Sequence, residues 1–246
     1  MITFDAATVT APGTTADGGP VRLLAPLTCS LTERRIAVIG ANGSGKSTLA
    51  RLVNGLVLPA AGHVRVDGWD TARDGAEVRR RVGFVFTDPD AQLVMPTPLE
   101  DVTLSLRRLD LSRADRASRA REVLESFGLG DRAEVAVHSL SGGQKQLLAL
   151  ACVLATGPSV LVCDEPTTLL DLRWRRHVED VLEGLDQQVV LVTHDLASAR
   201  RADRVLVVDR GAVVHDGDAS AGVACYEDLM AVGIPSGRVP PRTGVT

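Results

Sequence analysis

The stretch GANGSGKST, residues 40 to 48, constrains this chain more than any other. It fits the pattern GxxxxGK[ST] at every fixed position, and it stands between the apolar run RIAVI and the helix-like LARLVNGL. A strand that ends in such a loop and passes straight into a helix commits the chain to an α/β architecture. Gly40, Gly43 and Gly45 free successive backbone N–H groups to wrap phosphates at the positive end of the helix, with Asn42 and Ser44 in the same loop. Lys46 is placed to neutralise terminal-phosphate charge, Ser47 to ligate Mg²⁺, and Thr48 to donate to an inner phosphate.

The rest of the chain agrees with an α/β sheet. The runs RIAVIG, HVRVDG, RVGFVF, SVLVCDE, QVVLVTHD and DRVLVVDRG alternate with helix-like segments. VLVCD and VVLVT are apolar on both faces, as parallel strands covered by helices must be, while DRG near 210 followed by AVVHDG reads as a hairpin. A mixed sheet is predicted. Between RVGFVF and SVLVCDE the strand signal stops and helices take over, which predicts a helical subdomain at about 88–157 inside a single domain of residues 1–234. Thr97, Pro98 and Glu100 open one of these helices with a capping box, and a second runs from Ser112 to a stop at Gly128. SAGVACYEDLMAVGIP predicts a last helix, with Tyr226, Leu229 and Met230 packing on the core. APGTTADGGP reads as a flexible turn-rich loop and 235–246 as a poorly ordered tail; Trp69 and Trp174 stay undecided between packing and surface.

Composition excludes some partners. A net charge of −4 argues against an extended nucleic-acid footprint. Cys29, Cys152, Cys163 and Cys225 lack CxxC spacing, so neither a disulfide framework nor a zinc site is expected, and a reducing cytoplasm fits. No secretory signal opens the chain, and no run approaches the roughly 20 apolar residues of a membrane span.

Two further motifs narrow the chemistry. SVLVCDEP puts Asp164 and Glu165 at the carboxyl end of a buried strand, where the first can hold Mg²⁺ and the second can orient or deprotonate water. LSGGQ, residues 140 to 144, opens an amphipathic helix, and Ser141 with the N–H groups near Gly142, Gly143 and Gln144 makes a second anion-receptive terminus.

The order of phosphate loop, LSGGQ, acidic strand end and LVTHD resembles the nucleotide-binding subunit of ATP-binding cassette (ABC) transporters, from about residue 2 to about residue 217. The resemblance implies a P-loop NTPase with a RecA-like core, an antiparallel β subdomain and an inserted helical subdomain, using ATP and Mg²⁺ as an ATPase. By position, Gln92 in DPDAQL matches the glutamine that touches Mg²⁺ and water and senses the membrane partner. His194 matches the histidine that contacts the γ-phosphate, and Asp171 the aspartate of a loop that crosses between subunits. In this family LSGGQ faces a nucleotide held by another subunit. A functional unit therefore holds two cassettes, identical or paralogous, that ATP joins head to tail.

The sequence also departs from the family pattern. The position near Thr10 and Ala11 lacks the usual aromatic that stacks adenine, so weak discrimination between ATP and GTP is expected; the alternation around Phe4 points to core packing instead. TTLLD replaces a common Ser-Ala pair, and with FTDPDAQLVMPTPLEDV it is similar to the energy-coupling-factor branch of vitamin and metal importers, DEPTTLLDLR being similar to the ATPase of the biotin system. That resemblance implies a peripheral position on the cytoplasmic face of the membrane, a transmembrane coupling protein and a small substrate-binding membrane subunit. Cobalt, nickel or another vitamin is the alternative cargo, and a soluble non-transport ABC ATPase the alternative class.

Overall fold

The computed structural model of the protein describes residues 1–14 and 20–231. Two sheets organise them. The antiparallel sheet joins β1 (Ile2–Thr14), β2 (Pro20–Leu31), β4 (Ala61–Val66) and β5 (Trp69–Asp70) in the order β2-β1-β4-β5. The second holds β3 (Arg35–Ile39), β6 (Val82–Val85), β7 (Val160–Asp164), β8 (Gln188–Val192), β9 (Arg204–Asp209) and β10 (Ala212–Gly217), in the order β10-β9-β3-β8-β7-β6.

In that second sheet β9, β3, β8, β7 and β6 run parallel and β10 returns antiparallel, as the sequence predicts. All five residues of β7 are buried because helices cover both its faces, whereas β10 keeps one wet side as an edge strand does. The hairpin turn is Arg210-Gly211, both at positive φ (45° and 76°), the backbone a two-residue turn needs to follow strand twist.

The N-terminal loop reading needs correction. Residues 11–14 and Pro20 of APGTTADGGP are strand, with Ala11 opposite Val21 and Thr14 opposite Pro20; residues 15–19 lie outside the described residues. Their composition hides this, because the pairing is fixed further down, where Ile2, Phe4, Ala7 and Val9 bury one face and set the register that the polar end continues.

Three apolar clusters hold the layers together. One face of the main sheet packs α1 (Lys46–Val53), through Leu49 and Leu52, together with the antiparallel sheet, including Phe4 as expected. The opposite face continues into the helical region of α3 (Pro98–Ser105), α4 (Arg113–Ser126) and α5 (Gly142–Leu154), where Val102, Leu124 and Leu148 share a core with Val85 and Leu161 of the sheet. That helical core also takes in Val178 and Leu182 of α6 (Leu172–Gly184). Beyond α7 (Leu196–Arg200), α8 (Ala219–Ala231) packs Val223 and, in part, Tyr226 and Leu229 on β9; Met230, expected to pack with them, is exposed in the last turn of the helix. The short α2 (Gly75–Arg81) connects β5 to β6. The segment 235–246 lies outside the described residues, and no described helix is long and apolar enough to cross a membrane.

Candidate functional site

The parallel strands β3, β7 and β8 end side by side, and their carboxyl ends carry the loops that hold most of the predicted site. At the end of β3 the chain turns so tightly that a Cβ on Gly40 would stand 2.1 Å from the Val208 carbonyl oxygen and 2.7 Å from Ser44 Oγ. Only glycine fits there. Gly45 precedes α1 at φ 111° and caps it with no side chain, so the N–H groups of the first turn stay open at the positive end of the helix. The loop is braced from behind by the β9–β10 turn: Gly211 N–H donates to the Ser44 carbonyl at 2.7 Å, and Ala25 N–H to the Gly211 carbonyl at 2.6 Å.

Two features of this loop fit a polyphosphate. Ser44 Oγ is buried and has no partner among the described residues, a cost that an acceptor such as a phosphate oxygen would remove. Lys46 is only 5% exposed, and its ammonium donates to the carbonyls of Gly40 (2.9 Å) and Ala41 (3.0 Å). Burial pushes the Lys46 pKa below its ordinary value, and the nearby carboxylates of Glu165 and Asp164 pull it back up. The lysine is thus a poorly solvated cation held across the mouth of the loop. Asn42 and Gly43 are exposed at the loop tip, and Thr48 lies in the first turn of α1.

The Ser47 hydroxyl donates to Asp164 Oδ1 at 2.8 Å, and Arg51, one turn further along α1, approaches Asp164 Oδ2 at 3.5 Å. A hydroxyl beside one carboxylate oxygen fits Mg²⁺, which keeps waters and phosphate oxygens as its other ligands. Glu165 follows at φ 52°, a left-handed conformation that a glutamate adopts at a cost. The turn is held by its N–H donating to the Val192 carbonyl at 3.0 Å and aims the carboxylate across the strand ends. There Oε1 lies 4.0 Å from Lys46 Nζ, while Oε2 accepts from Thr168 Oγ1 (3.0 Å) and lies 3.5 Å from His194 Nδ1. Lys46, Ser47, Asp164, Glu165 and His194 therefore converge on one cleft.

Gln92 stands differently. Both ends of its amide are engaged, Oε1 accepting from Phe86 N–H and Nε2 donating to the Ala149 carbonyl, each at 3.4 Å. It ties the exit of β6 to α5 instead of reaching the Ser47–Asp164 pair. Two neighbours reinforce that tie: Gln146 Nε2 donates to the Phe86 carbonyl at 3.4 Å, and Lys145 pairs with Asp90 at 2.7 Å.

At the start of α5, Ser141 and Gln144 form a reciprocal capping box, Ser141 N–H donating to Gln144 Oε1 and Gln144 N–H to Ser141 Oγ. The box satisfies two of the terminal N–H groups, and Gly142 is exposed with open space where a Cβ would go. Gly143 is buried instead, beneath the indole of Trp174. Asp171, exposed, caps α6 by accepting from Trp174 N–H at 3.0 Å. Ser141, Gly142, Gly143, Gln144 and Asp171 belong to no contact with the Lys46 cleft of their own chain in the hydrogen bonds of the described residues.

The cleft beside the phosphate loop, about 550 Å³, is walled by Val21, Arg22 and Leu23 of β2 and by Arg210 and Gly211, next to Lys46. Thr10 and Ala11 sit on β1, directly opposite Arg22 and Val21, so the expected base position lies at this wall. Sequence reasoning missed Arg51, Thr87, whose Oγ1 donates to the Asp164 carbonyl at 2.6 Å, and the Trp174–Gly143 contact. An arginine four positions after Ser47 lies on the same helix face by periodicity; nothing local in the sequence marks the other two.

Comparison with known proteins gives a consistent result. Residues 27–168 match the family described as ABC transporter. The chain is 51% identical over 198 residues, covering 80% of it and 88% of the relative, to a Bartonella quintana protein whose name places it among ABC transporter ATP-binding proteins. It is 44% identical over 208 residues (85% and 92%) to a biotin transport ATP-binding protein of Rhizobium etli. With an energy-coupling factor transporter ATP-binding protein of Halalkalibacterium halodurans it shares 39% over 204 residues (81% and 73%). Among solved structures, an ATP-binding cassette determined as a dimer in a post-hydrolysis state with ADP and Pi superposes with TM-score 0.78 at 30% identity, covering 89% of this chain and 99% of that one. The cassette CbiO1 of Clostridium perfringens, part of an ABC transporter complex, gives 0.77 at 28% (94% and 93%).

Proposed function

Because the chain belongs to the ABC transporter family and is an ATPase cassette of it, we propose that it powers an energy-coupling-factor importer whose cargo is biotin. The observation that carries the ATPase chemistry is the convergence of Lys46, the Ser47–Asp164 pair and Glu165 at the strand ends. The branch and the cargo rest on similarity to the named biotin and energy-coupling-factor ATPases.

In this reading the open N–H groups of α1 and the loop hold the ATP phosphates, Gly40, Gly43 and Gly45 giving the backbone room and Ser44, Lys46 and Thr48 adding donors. Bound Mg²⁺, reached from Ser47 and Asp164, would neutralise the β- and γ-phosphate oxygens. Glu165 receives the proton of the attacking water while the bond between the β–γ bridging oxygen and the γ-phosphorus breaks and ADP leaves. Its contact with Lys46 and His194 lets it exchange partners: on ATP arrival Lys46 turns to the phosphates, His194 turns to the γ-phosphate, and the carboxylate is released to water. Gln92 acts as the link to the membrane subunit through its ties to Phe86 and α5. Ser141, Gly142, Gly143 and Gln144 serve the nucleotide of a second cassette, and Asp171 the junction between the two. The cassette would lie at the cytoplasmic face of the membrane, beneath a coupling protein and a small substrate-binding subunit.

Two measurements test this. Isolation of the protein from its native membranes in mild detergent should recover those two membrane subunits; a conventional permease pair would overturn the branch and cargo, and no membrane partner would bring a soluble ABC ATPase forward. In reconstituted membranes Lys46→Ala should abolish biotin uptake, and persistent uptake refutes ATP driving by this subunit. Similarity to the CbiO1 cassette supports a second reading, with another small cargo and the same ATPase.

A further inference from the structure

One close contact among the described residues, outside the Lys46 cleft, joins α5 to α6. A Cβ on Gly143 would stand 2.1 Å from Trp174 Cδ2, 2.2 Å from Cγ and 2.6 Å from Cε2, so the indole lies flat against the glycine with no room for any side chain. Gly143 is the second residue of α5, and side chains of a helix lean toward its N-terminus. The ring therefore sits beside the open end of α5, where the terminal N–H groups of Gly142 and Gly143 remain outside the capping box.

The same tryptophan is fixed from the other direction. Its N–H is the group that Asp171 caps, at 3.0 Å, and its ring packs edge-on to His177, 6.1 Å between centroids. It also packs against the helical core that α5 and α6 share. Asp171 and Gly143 are thus joined through one residue, by a main-chain hydrogen bond at one end and ring contact at the other. Leu169 and Leu172, two residues before and one after Asp171, are 67% and 60% exposed.

We propose that Trp174 is a positioning residue: it locks the loop of Asp171 to the glycine end of α5, so that both present themselves to a second cassette as one preformed surface. The inference rests on the cassette pairing proposed above and adds what sets its geometry. A glycine pair at a helix start has wide backbone freedom, and ordering it only at the moment of pairing costs conformational entropy. Ring contact removes that freedom in advance.

The test uses the full chain in a Glu165→Gln background, with ATP-dependent dimer formation followed by light scattering. Glu165→Gln alone must dimerise with ATP; failure there sinks the pairing itself and is distinct from failure of Trp174. Adding Trp174→Ala should raise the ATP concentration for half-maximal dimer about tenfold or more, with ATP affinity of the monomer kept within about twofold and Trp174→Phe returning dimerisation to within about threefold. An unchanged ATP dependence in Trp174→Ala overturns the proposal. Should Trp174→Ala fail to fold, Trp69→Phe leaves Trp174 as the sole tryptophan of the chain. Its quenching by iodide should already be well below that of free tryptophan in the ATP-free monomer, as a ring locked in advance requires; monomer quenching close to that of the free amino acid, lost only as the dimer forms, overturns the assignment.

Discussion

Glu165 stands at the strand ends in a left-handed backbone conformation, a non-glycine residue at φ 52°. The strain can be separated from the chemistry. Glu165→Gly and Glu165→Ala should both lose hydrolysis, but the glycine variant should be more stable by about 1 kcal/mol in denaturant unfolding, since only alanine keeps the left-handed penalty. Equal stabilities would mean that the turn relaxes once the carboxylate is gone. At Gly40 the opposite holds: Gly40→Ala drives a methyl into the Val208 carbonyl and should destabilise the chain by about 2 kcal/mol or more while abolishing nucleotide binding, checked by the same unfolding curves and by calorimetry. The sequence marked both residues through their motifs, because backbone chemistry around phosphates demands fixed spacing. It did not show where their atoms rest. Lys46 points at two carbonyls and Gln92 at Phe86 and Ala149, partners set by long-range packing that no local pattern encodes.

At the scale of elements, helix starts were the most legible feature. Thr97, Pro98 and Glu100 form the expected capping box on α3, and Ser112 caps α4, because capping is satisfied within four residues and needs no tertiary information. Strand ends were less legible, as β1 and β2 show: the polar APGT segment pairs because its apolar upstream half is anchored. One element carries a pH signature. Asp101 on α3 is buried and accepts from the N–H groups of Val94 and Met95, fixing the segment that follows Gln92, and its other oxygen has no partner among the described residues. Burial raises its pKa above the ordinary 3.8, chiefly by desolvation. A carboxyl raised on folding stabilises most below its unfolded value, and that contribution is lost as pH rises through its folded value. Asp101→Asn keeps an acceptor for the two N–H groups, so its stability relative to the parent should improve as pH rises from 3.8 toward neutrality in thermal unfolding. A difference independent of pH would place the ionisation of Asp101 elsewhere.

For the whole molecule, the parallel core and its returning edge hairpin were readable from apolar runs and turn residues, and the order of motifs was enough to identify the family. The wall of the cleft beside the phosphate loop was not readable, since Val21, Arg22 and Leu23 reach it only through the pairing of β2 with β1. That wall offers no aromatic face, and competition between ATP and GTP should show affinities within about threefold; a strong preference for ATP would require a recognition the cleft residues do not supply. The position of β3 has one more consequence. The strand that carries the phosphate loop is made early, but both its neighbours, β8 and β9, and the turn that braces the loop come from the last quarter of the chain. On the ribosome the loop must wait. At elongation rates of about 5–20 residues per second the apolar strand RIAVI stays without sheet partners for roughly ten seconds or more, and ATP can assist folding only after β8, β9 and the bracing turn have emerged.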